Sequence, residues 1–224
     1  FIWIPKNGGG SLTKMLNIET FLYYSEKCKN LNLKVKNLEE FKKKNFYNKN
    51  ISFGQTDPKC IVKYNLINQE YYNNLYKICI IRNPYDRAVS IYFYLKKRFP
   101  KQMKKFNNFP EYIRYIYINK HNIPELDLES TLENNNLFTH CNPQYKWVEK
   151  IKLNYIIKFE NYEEDLNILL KNMNIKIDKF INNNKSNRDS NYKIYYDNDT
   201  IKYVNDLYKI DFIKFNYKIY QTFN

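Results

Sequence analysis

Glycine is almost missing from this chain. It has four in 224 residues, and three of them stand side by side at Gly8, Gly9 and Gly10. Such a chain has few places where the backbone can pass freely through positive φ, so a block of three marks a loop where the main chain must turn sharply or be approached closely. Histidine is scarcer still, with two residues, and no recognisable metal-ligand cluster stands in the sequence. The four cysteines, Cys28, Cys60, Cys79 and Cys141, show no CxxC spacing. Cys79 lies in the apolar run ICII, where a thiol behaves as a small hydrophobe, so neither a disulfide framework nor a zinc site is expected. No stretch reaches the roughly 18 to 20 apolar residues of a membrane span, and no secretory leader precedes the first apolar run. The chain as given reads as soluble, with an abrupt start that is compatible with a removed upstream segment.

Hydrophobic residues make up 43% and aromatics 18%, enough to build a core, and the length suits one domain over residues 1–224. Acids are outnumbered, 23 against 37 Lys and Arg, for a net charge of +14. That balance favours anionic ligands and admits nucleic acid as a partner. Enrichment in Lys, Asn, Ile and Tyr, whose codons are AT-rich, supplies a second source for the charge. The run FKKKNFYNKN (41–50) reads as a solvated face and loop.

Three short apolar runs, FIWI (1–4), KICII (77–81) and NYIIKF (154–159), read as buried parallel strands, with ISF (51–53) a weaker fourth. Each is followed by a helical pattern. The first begins at Ser11 and is expected to run through ETFLYYSEK. The second is PYDRAVSIYFYLKK, with Pro84 in its first turn. In the third, Asn161 and Glu164 have the spacing of a capping box ahead of EDLNILLKNM. Alternating strands and helices predict a three-layer α/β fold around a central parallel sheet flanked by helices.

The glycines lie between a strand and a helix, where open α/β sheets bind ligands and where main-chain N–H groups can converge on an anion. A nucleotide P-loop of the Walker type needs lysine after its glycines; here Lys6 precedes them, which weakens a nucleotide-kinase reading.

The segment IPKNGGGSL resembles the PKxGGTSL signature of membrane-type carbohydrate sulfotransferases, with Gly10 at the usual threonine. A second segment, RNPYDRAVSIY from Arg82, resembles the family's RxPyxRxxSxY signature. Weaker likenesses follow in the family's order: HCNPQYKWV to HxxPQ, YIIKFENYEEDLNILL to the "kfEnleeDl" strand and helix, and YKIDFIKFNY to the closing YxxDfxxFxY. Together they span nearly the whole chain.

The resemblance implies a P-loop-like sulfotransferase fold, 3′-phosphoadenylyl sulfate (PAPS) as sulfuryl donor, 3′,5′-adenosine diphosphate (PAP) as product, no metal, and a glycan hydroxyl as acceptor. It places the phosphosulfate on Lys6, Asn7, Gly8, Gly9, Gly10, Ser11 and Leu12, and the 3′-phosphate on Arg82 and Ser90. An arginine at a strand end offers a phosphate a rigid fork of donors. Arg87 is either a further phosphate ligand or a structural partner of Asp86. The basic loop 182–192 adds Lys185, Ser186 and Arg188 as candidate ligands, with a solvated loop as the alternative. Glu160 and Asp165 read as structural. Family members work in the Golgi lumen behind a membrane anchor, a segment this chain does not show.

Sulfuryl transfer requires charge stabilisation on the departing phosphate and removal of a proton from the acceptor. Lys6 suits the first task. For the second, related enzymes often carry a histidine in GHxT, where this chain has FGQTDP, and Gln55 cannot take a proton near neutral pH. Three readings stand: Asp57 is the base, His140 is the base, or the chain binds the donor with impaired turnover. Gln55 is then an acceptor-binding candidate. The main rival outside the family is a basic nucleic-acid-binding protein.

Overall fold

Among the described residues both strand pairs are parallel. The computed structural model of the chain describes residues 1–20, 51–52, 58–63, 67–126, 137–138, 140–177 and 188–223. In chain order its elements are α1 (Gly9–Met15), β1 (Glu19–Thr20), β2 (Ile51–Ser52), α2 (Pro58–Lys63), α3 (Gln69–Asn74), β3 (Ile78–Ile81), α4 (Pro84–Arg98), α5 (Pro100–Met103), α6 (Phe109–Ile118), α7 (Tyr145–Val148), β4 (Tyr155–Lys158), α8 (Tyr162–Asn172), α9 (Asn198–Leu207) and α10 (Lys209–Lys214). Parallel strands joined through helices make this an α/β chain. Two compact units form, one within Phe1–Ile81, Glu125–Glu133 and Trp147–Asn184, the other within Arg82–Pro124, Asn134–Lys146 and Lys185–Asn224.

In the first unit β3 pairs with β4 from Ile78↔Tyr155 to Ile81↔Lys158, and β1 pairs with β2. Four consecutive buried residues in β3 are what a strand covered on both faces requires. Leu12, Leu16, Ile78, Ile80, Ile157, Leu166 and Leu169 pack together, with α1 and α8 supplying the leucines.

Three expectations need correction. The strand expected at 1–4 is reduced to one parallel bridge, Ile2↔Cys79, in which the Ile2 N–H donates to the Ile78 carbonyl at 2.8 Å. The next rung would use the Ile80 carbonyl, but that oxygen accepts from Asn7 Nδ2 at 2.7 Å. The helix expected to pass through ETFLYYSEK stops at Met15, because Asn17 turns left-handed at φ 46. Glu19–Thr20 is then a strand. The Asn161 side chain makes no cap on α8. Residues 159–161 form a 3₁₀ turn instead, and Asp165 turns back to accept the Lys158 N–H at 2.6 Å, a structural role.

The second unit is helical, and its core is aromatic. Tyr85, Tyr92, Phe109, Tyr112, Tyr208 and Phe212 are buried together with Val89, Leu95 and Ile116. Among the described residues no helix is long and apolar enough to cross a membrane.

Candidate functional site

The glycine loop is compressed by two left-handed residues, Lys6 at φ 69 and Gly8 at φ 85, the latter capping α1. A side chain at Gly8 would be strained by that φ and would meet the Phe159 ring at 3.0 Å. One at Gly9 would lie 2.5 Å from the Trp3 indole nitrogen, closer than real contacts allow. Gly8 and Gly9 therefore have reasons within the protein's own packing as well as any a ligand supplies. Asn7, through the Ile80 carbonyl, fixes the loop to the carboxyl end of β3. Ser11 and Leu12 are buried in α1, and the Ser11 N–H donates to the Gly8 carbonyl at 3.0 Å.

Arg82 follows β3 directly. Its main chain is held on both sides by the Gln144 amide: the Arg82 N–H donates to Oε1 at 2.9 Å, and Nε2 donates to the Arg82 carbonyl at 2.8 Å. Gln144 is fully buried, and its own N–H donates to Asp211 Oδ2 at 2.7 Å. The guanidinium is held separately. Its Nε and Nη2 contact Asp86 Oδ2 at 2.8 and 2.7 Å, while Oδ1 of the same carboxylate accepts Nη2 of Arg188. Both guanidinium side chains are more than nine-tenths buried. Ser90, also buried, follows Asp86 by one helical turn and so shares its face of α4. Within this unit, then, the structure gathers Arg82 and Arg188 on one carboxylate with Ser90 beside it along the helix. The segment carrying Arg188 is pinned to α4 by Tyr196, whose hydroxyl donates to the Tyr85 carbonyl at 2.8 Å, and by the parallel stacking of Tyr192 on Tyr85.

Arg87 takes the structural alternative, though not with Asp86. It is buried and donates to the Asn142 carbonyl at 2.9 Å and the His140 carbonyl at 3.0 Å, and burial lowers its pKa. His140 has left-handed backbone, φ 71, and its ring lies 5.2 Å from Tyr94. Its carbonyl thus anchors Arg87 while its ring faces an aromatic neighbour. Burial pushes the Cys141 thiol up to about 11 and the Cys79 thiol up to about 12; neither is in a disulfide, and both are unsuited to act as nucleophiles. Among the described residues no cluster of His, Cys, Asp and Glu could hold a metal ion.

Gln55, Asp57, Lys185 and Ser186 lie outside the described residues. Sequence reasoning missed Gln144 and Asp211 as the support of Arg82. Their signal lay in the segments HCNPQYKWV and YKIDFIKFNY, which carry them, but a pairing across 67 residues leaves no local pattern.

Two guanidiniums, held by buried amide and carboxylate partners, lie with a buried serine on the same helix face, and donors of this kind can receive an anion. Residues 1–218 match a family model whose description is "Sulfotransferase family". Comparison with curated proteins and with solved structures gives no match.

Proposed function

The chain belongs to the sulfotransferase family, and from that premise we propose that it moves the sulfuryl group of PAPS to a hydroxyl of a glycan, within the three-layer, P-loop-like arrangement its signatures imply. Transfer of a sulfuryl group follows from the family; the donor and the acceptor class are the proposal. The observation that carries it is the convergence of Arg82 and Arg188 on Asp86 beside Ser90. Buried guanidiniums with fixed orientation suit a phosphate monoester, which a planar fork recognises with two parallel hydrogen bonds.

In this reading the 3′-phosphate belongs to Arg82, Ser90 and Arg188, and the phosphosulfate to Lys6 and the main-chain N–H groups of Gly8, Gly9 and Gly10, since the Ser11 N–H is given to the Gly8 carbonyl. Bound there, PAPS supplies the activated sulfuryl group. Lys6 stabilises the negative charge that grows on the departing phosphate oxygen. Asn7 keeps the loop in register with β3, so those donors are in place before the reaction begins and need no reorganisation during it. The proton of the acceptor hydroxyl goes to Asp57 or to His140, with Gln55 binding the acceptor.

The test is a thermal-shift titration with PAP, ATP and 5′-AMP on the wild type and on Arg82→Ala. A ligand at about a hundred times its dissociation constant adds about 2.7 kcal/mol of stability, visible as a raised melting temperature. Stabilisation by PAP alone, lost in the variant, supports the reading; equal response to all three nucleotides rejects it. Transfer of labelled sulfate to glycan acceptors then separates a working transferase from a chain that only binds the donor.

A further inference from the structure

Asp86 occupies an unexpected place for a carboxylate. A phosphate site gains from positive charge, and an acid beside it repels the ligand by simple Coulombic reasoning. Yet Asp86 lies between the two arginines that the proposed function assigns to the 3′-phosphate. Its two oxygens are divided between them, Oδ2 to Nε and Nη2 of Arg82 and Oδ1 to Nη2 of Arg188.

We infer that Asp86 is a positioning residue of the donor site, a fixed internal anion that holds both guanidiniums in one orientation before the phosphate arrives; this rests on the function proposed above. Three observations carry it. The first is rigidity of the anchor. Asp86 stands in the first turn of a 15-residue helix, whose start is fixed by the Asn83 side chain accepting the Tyr85 N–H at 3.0 Å and by the fully buried Tyr85 ring. The second is that the Arg82 main chain is already immobilised by Gln144, which leaves the guanidinium's rotamer as the freedom Asp86 removes. The third is reach. Arg188 comes from 102 residues away, and Asp86 is where its head group meets α4.

The trio itself carries one net positive charge, so the site keeps its attraction for a phosphate while losing the side-chain entropy two free arginines would carry. Ordering each such side chain at the moment of binding costs about 0.5–1.5 kcal/mol. A carboxylate that orders them beforehand removes that cost from the binding step.

Positioning and simple charge predict opposite signs, and the experiment is built on that difference. PAP and 5′-AMP are titrated by calorimetry into the wild type, Asp86→Asn and Asp86→Glu, with the unliganded melting temperature of each recorded. If Asp86 positions the arginines, Asp86→Asn weakens PAP at least about tenfold although it removes a negative charge. Asp86→Glu, which keeps the charge but moves it by one methylene, weakens PAP by a smaller factor, and the response to 5′-AMP does not change in either variant. If Asp86 is only a local charge, Asp86→Asn binds PAP more tightly and Asp86→Glu binds it as the wild type does. Either of those results overturns the inference, and Asp86→Glu alone decides it should Asp86→Asn fail to fold. A wild type that does not distinguish PAP from 5′-AMP overturns the proposed function instead, a result visible before any variant is compared.

Discussion

Gly9 shows how much a single residue's chemistry depends on what faces it. In the first turn of a helix, exchanging glycine for alanine ordinarily adds about 0.5–1 kcal/mol, because the unfolded chain loses freedom. Here the added methyl would sit 2.5 Å from Trp3 Nε1 and 2.7 Å from Cδ1, and an indole has no flexible end to yield. Gly9→Ala is therefore expected to destabilise by about 1–3 kcal/mol in urea unfolding, the range for overpacking. In a Trp3→Leu background the same exchange should be neutral or stabilising. If Gly9→Ala costs the same in both backgrounds, the indole is not what keeps residue 9 bare. The block of glycines stood out as a sharp turn from its rarity alone, Lys6, Arg82 and Ser90 stood out as candidates from the signatures, and Arg188 as a candidate from the basic loop 182–192. The packing of Trp3 on Gly9 was not, since nothing in FIWI or GGG records which ring lies over which Cα. The same holds for Asp86, which looked like a partner for Arg87 one residue away. It instead serves Arg82 and Arg188, because Arg87 turns inward to the carbonyls of residues 140 and 142.

At the scale of elements the shortage of glycine is met by asparagine. Three helices end in the same two-bond motif with an asparagine in left-handed conformation: Asn17 after α1, Asn174 after α8 and Asn216 after α10, at φ 46, 52 and 54. In each, the following N–H reaches back five residues, Ile18 to Thr13, Ile175 to Leu170 and Tyr217 to Phe212, at 2.8, 2.9 and 2.9 Å. These satisfy carbonyls a helix end would otherwise leave open. Glycine adopts this conformation without the Cβ penalty, and asparagine tolerates it better than alanine does. The expected order of stability at position 174 is therefore Gly above Asn above Ala, with Asn174→Ala costing about 1 kcal/mol and Asn174→Gly gaining a few tenths. Chemical denaturation measures it, and an alanine variant as stable as the wild type would show that residue 174 does not hold this conformation. Helix ends are where the sequence reading slipped. Asn17 carried the stop signal, but the apolar residues beyond it kept the helical spacing alive on paper. The strand centre ICII was readable because consecutive apolar residues suit a strand covered on both faces; YIIK was readable as a strand too, but it is not the fully buried one expected, since Ile157 is buried and Ile156 is exposed. FIWI loses its ladder to the side chain of Asn7, and no periodicity reports that.

For the whole molecule, the buried acid Asp211 links pH to stability. Its two oxygens accept the main-chain N–H groups of Gln144 and Tyr145 at 2.7 and 2.8 Å. Burial nevertheless pushes its pKa from 3.8 up to about 6, against the opposing pull of Arg87 and those donors. The sign of the effect follows from proton counting. Between about pH 4 and 6 the folded chain keeps a proton that the unfolded chain has released, so rising pH favours unfolding across that window and has no further effect above it. The contribution is up to about 3 kcal/mol, at 1.36 kcal/mol for each pKa unit. Other carboxylates titrate in the same range, so the comparison that isolates Asp211 is wild type against Asp211→Asn, unfolded in urea at pH 4, 5, 6, 7 and 8. Asparagine imitates the protonated carboxyl and does not titrate. The stability of the wild type relative to the variant should fall from pH 4 to 6 and stay level from 7 to 8. A relative stability that instead rises with pH would mean that the two amide donors and Arg87 outweigh burial. The carboxylate supporting Gln144, and through it the Arg82 main chain, would then be charged throughout the working range.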